Sequence, residues 1–372
     1  MADPDVIIIG GGVIGCAIAY YLAETGARVT ILERGEAGGE ASGASAGILA
    51  PLELSVASGS LLDLCLASLP LHPSLADTLR QETGIDVEYL RSGILRVALT
   101  DEDADDLHAL VEGQRVGAAM EWVDAEALRR LEPRLAAARG GVYSPQLHQV
   151  NAHRLTQALA QAAVARGAGL RQGATVTGFV TSGSRVTGVR TGGGRMMAGQ
   201  VILAAGSWTA ALGRRLGVTL PVKPMRGQMV AFPDFSSPLR HILLGEDGGY
   251  LAPKANGFLF VGATVEDVGF RKNTTVKGLA GLRRMAATLV PSLAYAEVAS
   301  DWAGLRPGSP DDLPILGPVP GWEGLSVASG HFRKGILLAP ITGRLMAQWL
   351  TKGRTEMPLE PFSPARFAAS AG

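Results

Sequence analysis

The first thirty-three residues constrain this chain more than any other stretch. Val6-Ile7-Ile8-Ile9 is a continuous β-branched run, suited to a strand buried on both faces of a parallel sheet. Gly10-Gly11-Gly12-Val13-Ile14-Gly15 follows directly, with glycines in the spacing G-x-G-x-x-G. The pattern then predicts a helix from Val13 to about Thr25, capped by Gly26, and a second strand over Val29–Leu32 that ends on Glu33. Each glycine has its own task. Gly10 permits the tight turn, Gly12 lets backbone approach a pyrophosphate, and Gly15 lets the helix lie close on the sheet. The helix N-terminus offers free N–H groups to phosphate, and Glu33 can accept from both ribose hydroxyls. A dinucleotide is therefore expected here, although this unit alone does not separate FAD from NAD.

Three later segments favour FAD. Gly38 to Pro51 reads GGEASGASAGILAP, a small-residue stretch where a bulky planar group can lie against backbone. Val201 to Trp208 reads as an apolar strand running into a small-residue turn, with a helix from about Trp208. It follows a helix over about 152–166 and a β-hairpin over 175–190 that turns at Gly183-Ser184. Gly330 to Pro340, GHFRKGILLAP, opens a helix running toward Leu350. That helix N-terminus can stabilise the negative charge of a reduced flavin, a device that a nicotinamide does not need.

Composition excludes several alternatives. Lys plus Arg equals Asp plus Glu, 34 each, so no net field favours nucleic acid. Hydrophobic residues make up 47 %, enough for a large core. The two cysteines, Cys16 and Cys65, make neither a disulfide framework nor a Cys-rich metal site, and no H-x-x-x-H pair occurs among the six histidines. No apolar run approaches a membrane span and no secretory signal is visible, so a cytoplasmic, reducing location is the expectation.

The expected fold class is α/β, with a discontinuous Rossmann-like FAD-binding domain (1–87, 143–220, 305–372) and a substrate-binding domain (88–142, 221–304) built on a mixed or antiparallel sheet. Strands are expected over 227–232, 250–252, 258–265 and 302–305, and a helix over 279–290. The Pro-, Ala- and Ser-rich tail beyond Lys352 is expected to fray.

VIIIGGGVIGCAIAYYLA at the N-terminus, WAGLRPGSPDDLPILG from Trp302 to Gly317 and GHFRKGILLAPITG from Gly330 to Gly343 together resemble the FAD-dependent D-amino-acid oxidase superfamily, most of all glycine oxidases of the thiamine-biosynthetic type. The resemblance implies a phosphate loop that includes Val13 and Ile14, and ribose contacts from Glu33 and Arg34. It implies a flavin bed of Ala41, Ser42, Ala46, Gly47 and Ile48, and an adenine-side contact at Val176. It also implies a C-terminal flavin segment formed by His331, Phe332, Arg333, Lys334, Gly335, Ile336 and Leu337. Arg306 would pair with the substrate carboxylate, a task that suits a guanidinium fork on a rigid strand. Tyr250 would donate to that carboxylate or close the site. Arg333 either touches substrate or braces the flavin segment. His331 reads as a main-chain contributor, because hydride transfer from a free amine needs no proton shuttle.

The implied reaction is oxidation of glycine or a small D- or N-methyl amino acid by non-covalent FAD, with O2 reduced to H2O2. A dehydrogenase passing electrons to a quinone is the alternative, and a homo-oligomer is implied. Ile48 and Val265 stand where the resemblance places pocket methionines. The choice among glycine, sarcosine, D-alanine and D-proline therefore stays open.

Overall fold

Val6–Ile9 is an inner strand of a largely parallel six-stranded sheet, and every one of its residues is buried. In this computed structural model, which describes residues 3–51, 59–113, 119–234, 236–245 and 248–370, the strand order is Ile315–Pro318, Leu325–Ser329, Gln200–Leu203, Val6–Ile9, Val29–Leu32, Gly169–Arg171. Only the Ile315–Pro318 edge strand runs antiparallel to its neighbour. Burial on both faces explains why the first strand is uniformly apolar rather than alternating.

The first helix, Val13–Glu24, covers one face together with Ala152–Ala165 and the C-terminal helix Gly335–Lys352. The first and last helices cross closely because position 343 is glycine: a Cβ there would stand 2.8 Å from the Ala17 carbonyl and 2.7 Å from the Tyr21 ring. Gly353, at φ 67°, ends the last helix in the left-handed cap that glycine favours. The opposite face carries an antiparallel three-stranded sheet of Val176–Ser182, Arg185–Thr191 and Gly194–Met197. The expected hairpin is thus extended by a third strand, beyond a second glycine turn at 192–194.

The second large sheet has eight strands in the order Ser300–Gly308, Lys223–Pro233, Phe258–Gly262, Tyr250–Pro253, Ile242–Leu244, Ile94–Ala98, Gly140–Ser144, Glu121–Asp124. It is antiparallel except for the pair Ile242–Leu244 and Ile94–Ala98. Alternation along its strands separates two faces. Leu95, Val97, Leu243, Leu251, Leu259, Val261, Val230 and Phe232 pack against helix Val276–Leu289. The other face turns toward the first sheet.

Two sequence expectations are corrected. The strand from Phe258 ends at Gly262 rather than Val265, because the amide of Gln228 on the neighbouring strand donates to the Thr264 hydroxyl instead of continuing the main-chain ladder. The tail beyond Lys352 does not fray through its described length. Leu359 and Phe362 bury their side chains, and Arg366 pairs with Asp311 and reaches the carbonyls of Leu313 and Pro314. Two apolar anchors and one arginine outweigh the polar, proline-rich composition around them.

Candidate active site

A continuous cavity of about 730 Å³ runs between the two large sheets. It begins at the G-x-G-x-x-G turn. Gly10, at φ 114°, adopts a conformation suited to glycine, and a Cβ there would meet the Ala204 carbonyl oxygen at 2.3 Å. Gly10, Gly12, Val13 and Ile14 line the cavity. Gly15 does not; it is buried against the turn, where a Cβ would lie 2.0 Å from the Gly10 oxygen. Its work is to bring helix and strand together.

Glu33 ties this end down. One carboxylate oxygen accepts from the Gly11 amide at 2.7 Å and the other from the Gly35 amide at 2.8 Å. Each oxygen keeps a lone pair for a ribose hydroxyl. Arg34 pairs with Glu40 at 2.5 Å and lies over the Trp208 ring at 3.7 Å. Val176 lines the same end, beside Ala174 and Leu32.

Ala41, Ser42, Ala46, Gly47 and Ile48 form the middle wall. The Ser42 hydroxyl accepts from the Val13 amide at 3.0 Å and so satisfies one free donor of the first helix. Gly47 has φ 76°, and a Cβ there would overlap the Val150 carbonyl at 2.0 Å. Lys254 anchors this loop from behind, donating to the Ala46 carbonyl and the Gln149 side chain, each at 2.7 Å. Desolvation pulls its ammonium down to about 8. Sequence reading missed Lys254, since nothing local marks it.

The far wall is the C-terminal segment. His331, Phe332, Arg333, Lys334, Gly335 and Ile336 line the cavity, and Phe332 sits at φ 46°. Leu337 lies just outside, buried in the helical core, where its carbonyl accepts from Ser68 at 2.6 Å and is 2.9 Å from His72 Nε2. His331 Nε2 meets the Thr342 hydroxyl at 3.1 Å, while its buried Nδ1 has no hydrogen-bond partner. An orphaned ring nitrogen in a cavity wall is the mark of a site that receives a polar group.

Burial holds His72 at about 4 and His331 at about 3, both below the ordinary value of 6.5. Both rings are therefore neutral in the fold and take up a proton on unfolding once the pH drops below 6.5. Stability present above pH 6.5 is lost as pH falls toward those depressed values. Thermal midpoints should accordingly decline between about pH 6.5 and 5. In His72→Gln, whose amide nitrogen stands nearest the place of Nε2 beside the Leu337 carbonyl, the slope should be shallower by nearly one proton. An unchanged slope would place the acid sensitivity elsewhere.

On the eight-stranded sheet Arg96, Leu244, Tyr250, Gly262, Met229 and Trp302 pair in one row on one face, and Arg96, Leu244, Tyr250 and Met229 of that row line the cavity. The Tyr250 hydroxyl is 3.1 Å from Met229 Sδ. Desolvation raises its phenol above the ordinary range even though the positive charges of Arg306 and Arg333 oppose the rise. Arg306, on strand Ser300–Gly308, donates to the Thr264 carbonyl at 2.9 Å. Its guanidinium crosses Gly227 so closely that a Cβ there would lie 2.2 Å from Nη1. Gly248 gives Arg333 similar room, at 2.9 Å. Tyr250, Arg306 and Arg333 therefore converge on one end of the cavity. Val265, expected in the pocket, is 40 % exposed and does not line the cavity; Ala263 does, because the strand has already ended.

A βαβ unit of the dinucleotide-binding kind, with a cavity that runs on to two guanidiniums and a partly buried phenol, is the architecture of a nucleotide-dependent oxidoreductase. Residues 5–349 match the family of FAD dependent oxidoreductases, and the chain belongs to that family. It is 39 % identical to the glycine oxidase of Geobacillus kaustophilus over 371 residues, covering 99 % of this chain and 98 % of that one. The crystal structure of glycine oxidase from that organism superposes with a TM-score of 0.93, covering 98 % of each chain. Identity to the glycine oxidase of Pseudomonas putida is 37 %, over 97 % of this chain and 98 % of that one. The protein is thus an FAD-dependent amino-acid oxidoreductase. The glycine-walled cavity and the orphaned His331 nitrogen fit that cofactor. Among the described residues no helix is long and apolar enough to cross a membrane, and no cluster of metal-ligating side chains occurs.

Proposed function

We propose that the protein oxidises glycine and small D- or N-methyl amino acids at the Cα–N bond, with non-covalent FAD and with O2 as the final acceptor. The observation that carries this reading is the convergence of Arg306, Tyr250 and Arg333 at the end of the cavity remote from Glu33. The chemistry FAD supplies when bound is two-electron acceptance: the Cα hydride and one amine proton leave the substrate as its C=N bond forms, and both electrons pass on to O2, which becomes H2O2. Water then hydrolyses the imine to the oxo acid, releasing ammonia from a primary amine or methylamine from an N-methyl substrate.

The chain's own residues bind and orient. Arg306 takes the α-carboxylate with its fork, fixing one substituent of Cα, and its hold on the Thr264 carbonyl keeps that fork in place. The raised Tyr250 phenol stays protonated and donates to the same carboxylate. Met229, Phe260 and Trp302 surround these groups with apolar surface and limit water. The loop from Ala41 to Ile48, braced by Lys254, supports the flavin ring, and the segment from His331 to Ile336 lines it from the other side. Gly227, Ala263 and Gly304 leave room beside Arg306 for the Cα of a small amino acid, in keeping with the glycine oxidases the chain resembles.

The test is anaerobic mixing of the flavin-loaded protein with glycine, sarcosine, D-alanine and D-proline. Bleaching of the oxidised flavin band by at least one of them, with recovery and peroxide on admitting air, is the expected result. Bleaching that persists in air identifies a dehydrogenase that needs another acceptor. A band that none of the four bleaches overturns the substrate class.

A further inference from the structure

Arg96 lines the same cavity, on the same sheet face as Tyr250. It pairs with Leu244, which pairs in turn with Tyr250, so two strand spacings separate Arg96 from the phenol, about 10 Å between Cα atoms. An arginine side chain covers much of that span. Every other guanidinium at this end is engaged or crowded: Arg306 on the Thr264 carbonyl, Arg333 against Gly248 and the Phe332 ring. The Arg96 side chain makes no hydrogen bond and no ion pair among the described residues. The carboxylates that act on it are Asp103 and Asp106 of helix Asp101–Glu112, and neither makes an ion pair with it. Asp103 is committed elsewhere, since one of its oxygens accepts from the amides of Leu99 and Thr100. Arg96 is half-buried, with Leu244 and Tyr250 in its row. Desolvating a cation without a close counter-charge is costly, and a bound anion recovers that cost.

We propose that Arg96 supplies a second anion-binding position in the substrate site, so that the enzyme takes amino acids that carry a distal carboxylate besides the α-carboxylate. This rests on the amino-acid oxidation proposed above, and the chemistry at Cα is the same. The α-carboxylate sits on Arg306 and Tyr250, and the second carboxylate extends along the sheet row past Leu244 to Arg96. Each charge-assisted contact of this kind changes affinity by about one to two orders of magnitude.

The test uses the flavin-loaded enzyme and its Arg96→Gln and Arg96→Lys variants. Anaerobic reduction is followed with glycine, N-(carboxymethyl)glycine, D-aspartate and D-glutamate. Separately, the non-reacting acids acetate, succinate and glutarate are titrated against the flavin spectrum. At least one dicarboxylic amino acid should bleach the wild-type flavin, and at least one diacid should bind tenfold or more tightly than acetate. In Arg96→Gln the ratio of kcat/KM for that amino acid over glycine should fall at least tenfold, mainly through KM. Arg96→Lys should recover part of it. The proposal is overturned if glycine bleaches the flavin while no dicarboxylic amino acid does and no diacid binds more tightly than acetate. It is equally overturned if Arg96→Gln lowers glycine and dicarboxylate turnover by the same factor. If no amino acid bleaches the flavin, the oxidation reading fails by itself, and the diacid titrations in wild type and Arg96→Gln still decide whether Arg96 binds an anion.

Discussion

Arg306→Leu should lower kcat/KM for glycine by about three orders of magnitude while the protein still folds and carries flavin. A carboxylate held by two charge-assisted hydrogen bonds gains about 1.5–3 kcal/mol from each, and each 1.36 kcal/mol is about tenfold in rate. Arg306 reaches its position by crossing Gly227 and fastening one nitrogen to the Thr264 carbonyl. Arg306→Lys keeps the charge but loses the fork, so an intermediate loss of about 10²-fold is expected. Gly227→Ala offers a second route to the same conclusion. Its new Cβ would fall 2.2 Å from the guanidinium and displace it without removing it. Steady-state kinetics with flavin content measured on the same samples would decide the matter. A loss below tenfold in Arg306→Leu would show that the carboxylate is held elsewhere.

The second large effect lies at the other end of the cavity. Gly15→Ala should destabilise the protein by about 3 kcal/mol or more and strip it of flavin. The added Cβ would stand 2.0 Å from the Gly10 carbonyl oxygen and 3.3 Å from the Ile8 side chain. Relief requires the first helix to lift from the strand, but Cys16, Ala17, Ile18 and Leu22 on that helix have no exposed surface. A close-packed interior transmits such a shift rather than absorbing it. Lifting the helix also moves the Val13 amide, which the Ser42 hydroxyl holds and which borders the cavity. Gly26→Ala is the matched control. Gly26 has a left-handed φ of 82°, and a Cβ added there would meet no atom within 4 Å. Only the conformational cost then remains, about 1 kcal/mol. Urea unfolding and flavin content of the two variants should diverge sharply. Similar behaviour would remove the steric argument.

How much of this is legible in the sequence follows from sequence distance. Strand Val6–Ile9, helix Val13–Glu24, strand Val29–Leu32 and Glu33 arise within 28 consecutive residues. Their formation depends on local periodicity and on glycines whose steric roles are written in the motif. The Gly335–Lys352 helix and its Phe332-Arg333-Lys334 lead-in are legible for the same reason. The long strands of the second sheet are found with shortened or overrun ends, because strand limits depend on which neighbour supplies hydrogen bonds. Lys223–Pro233 extends beyond the expected segment since Ser300–Gly308 pairs with it from Lys223 to Ala231.

The substrate end is a different case. Arg306 and Tyr250 are named through family resemblance, and no local pattern could join them to Arg96, Met229 or Lys254. Those residues meet because the chain orders its strands as 300–308, 223–233, 258–262, 250–253, 242–244 and 94–98. Positions as far apart as Arg96 and Trp302 then fall in one row on one face. The sequence by itself determined the nucleotide-binding unit, because its geometry depends on neighbours a few residues away. Only the tertiary structure decided which cations and which phenol share the pocket, since strand pairing over long separations is set by the burial of whole sheet faces and not by any short run of residues.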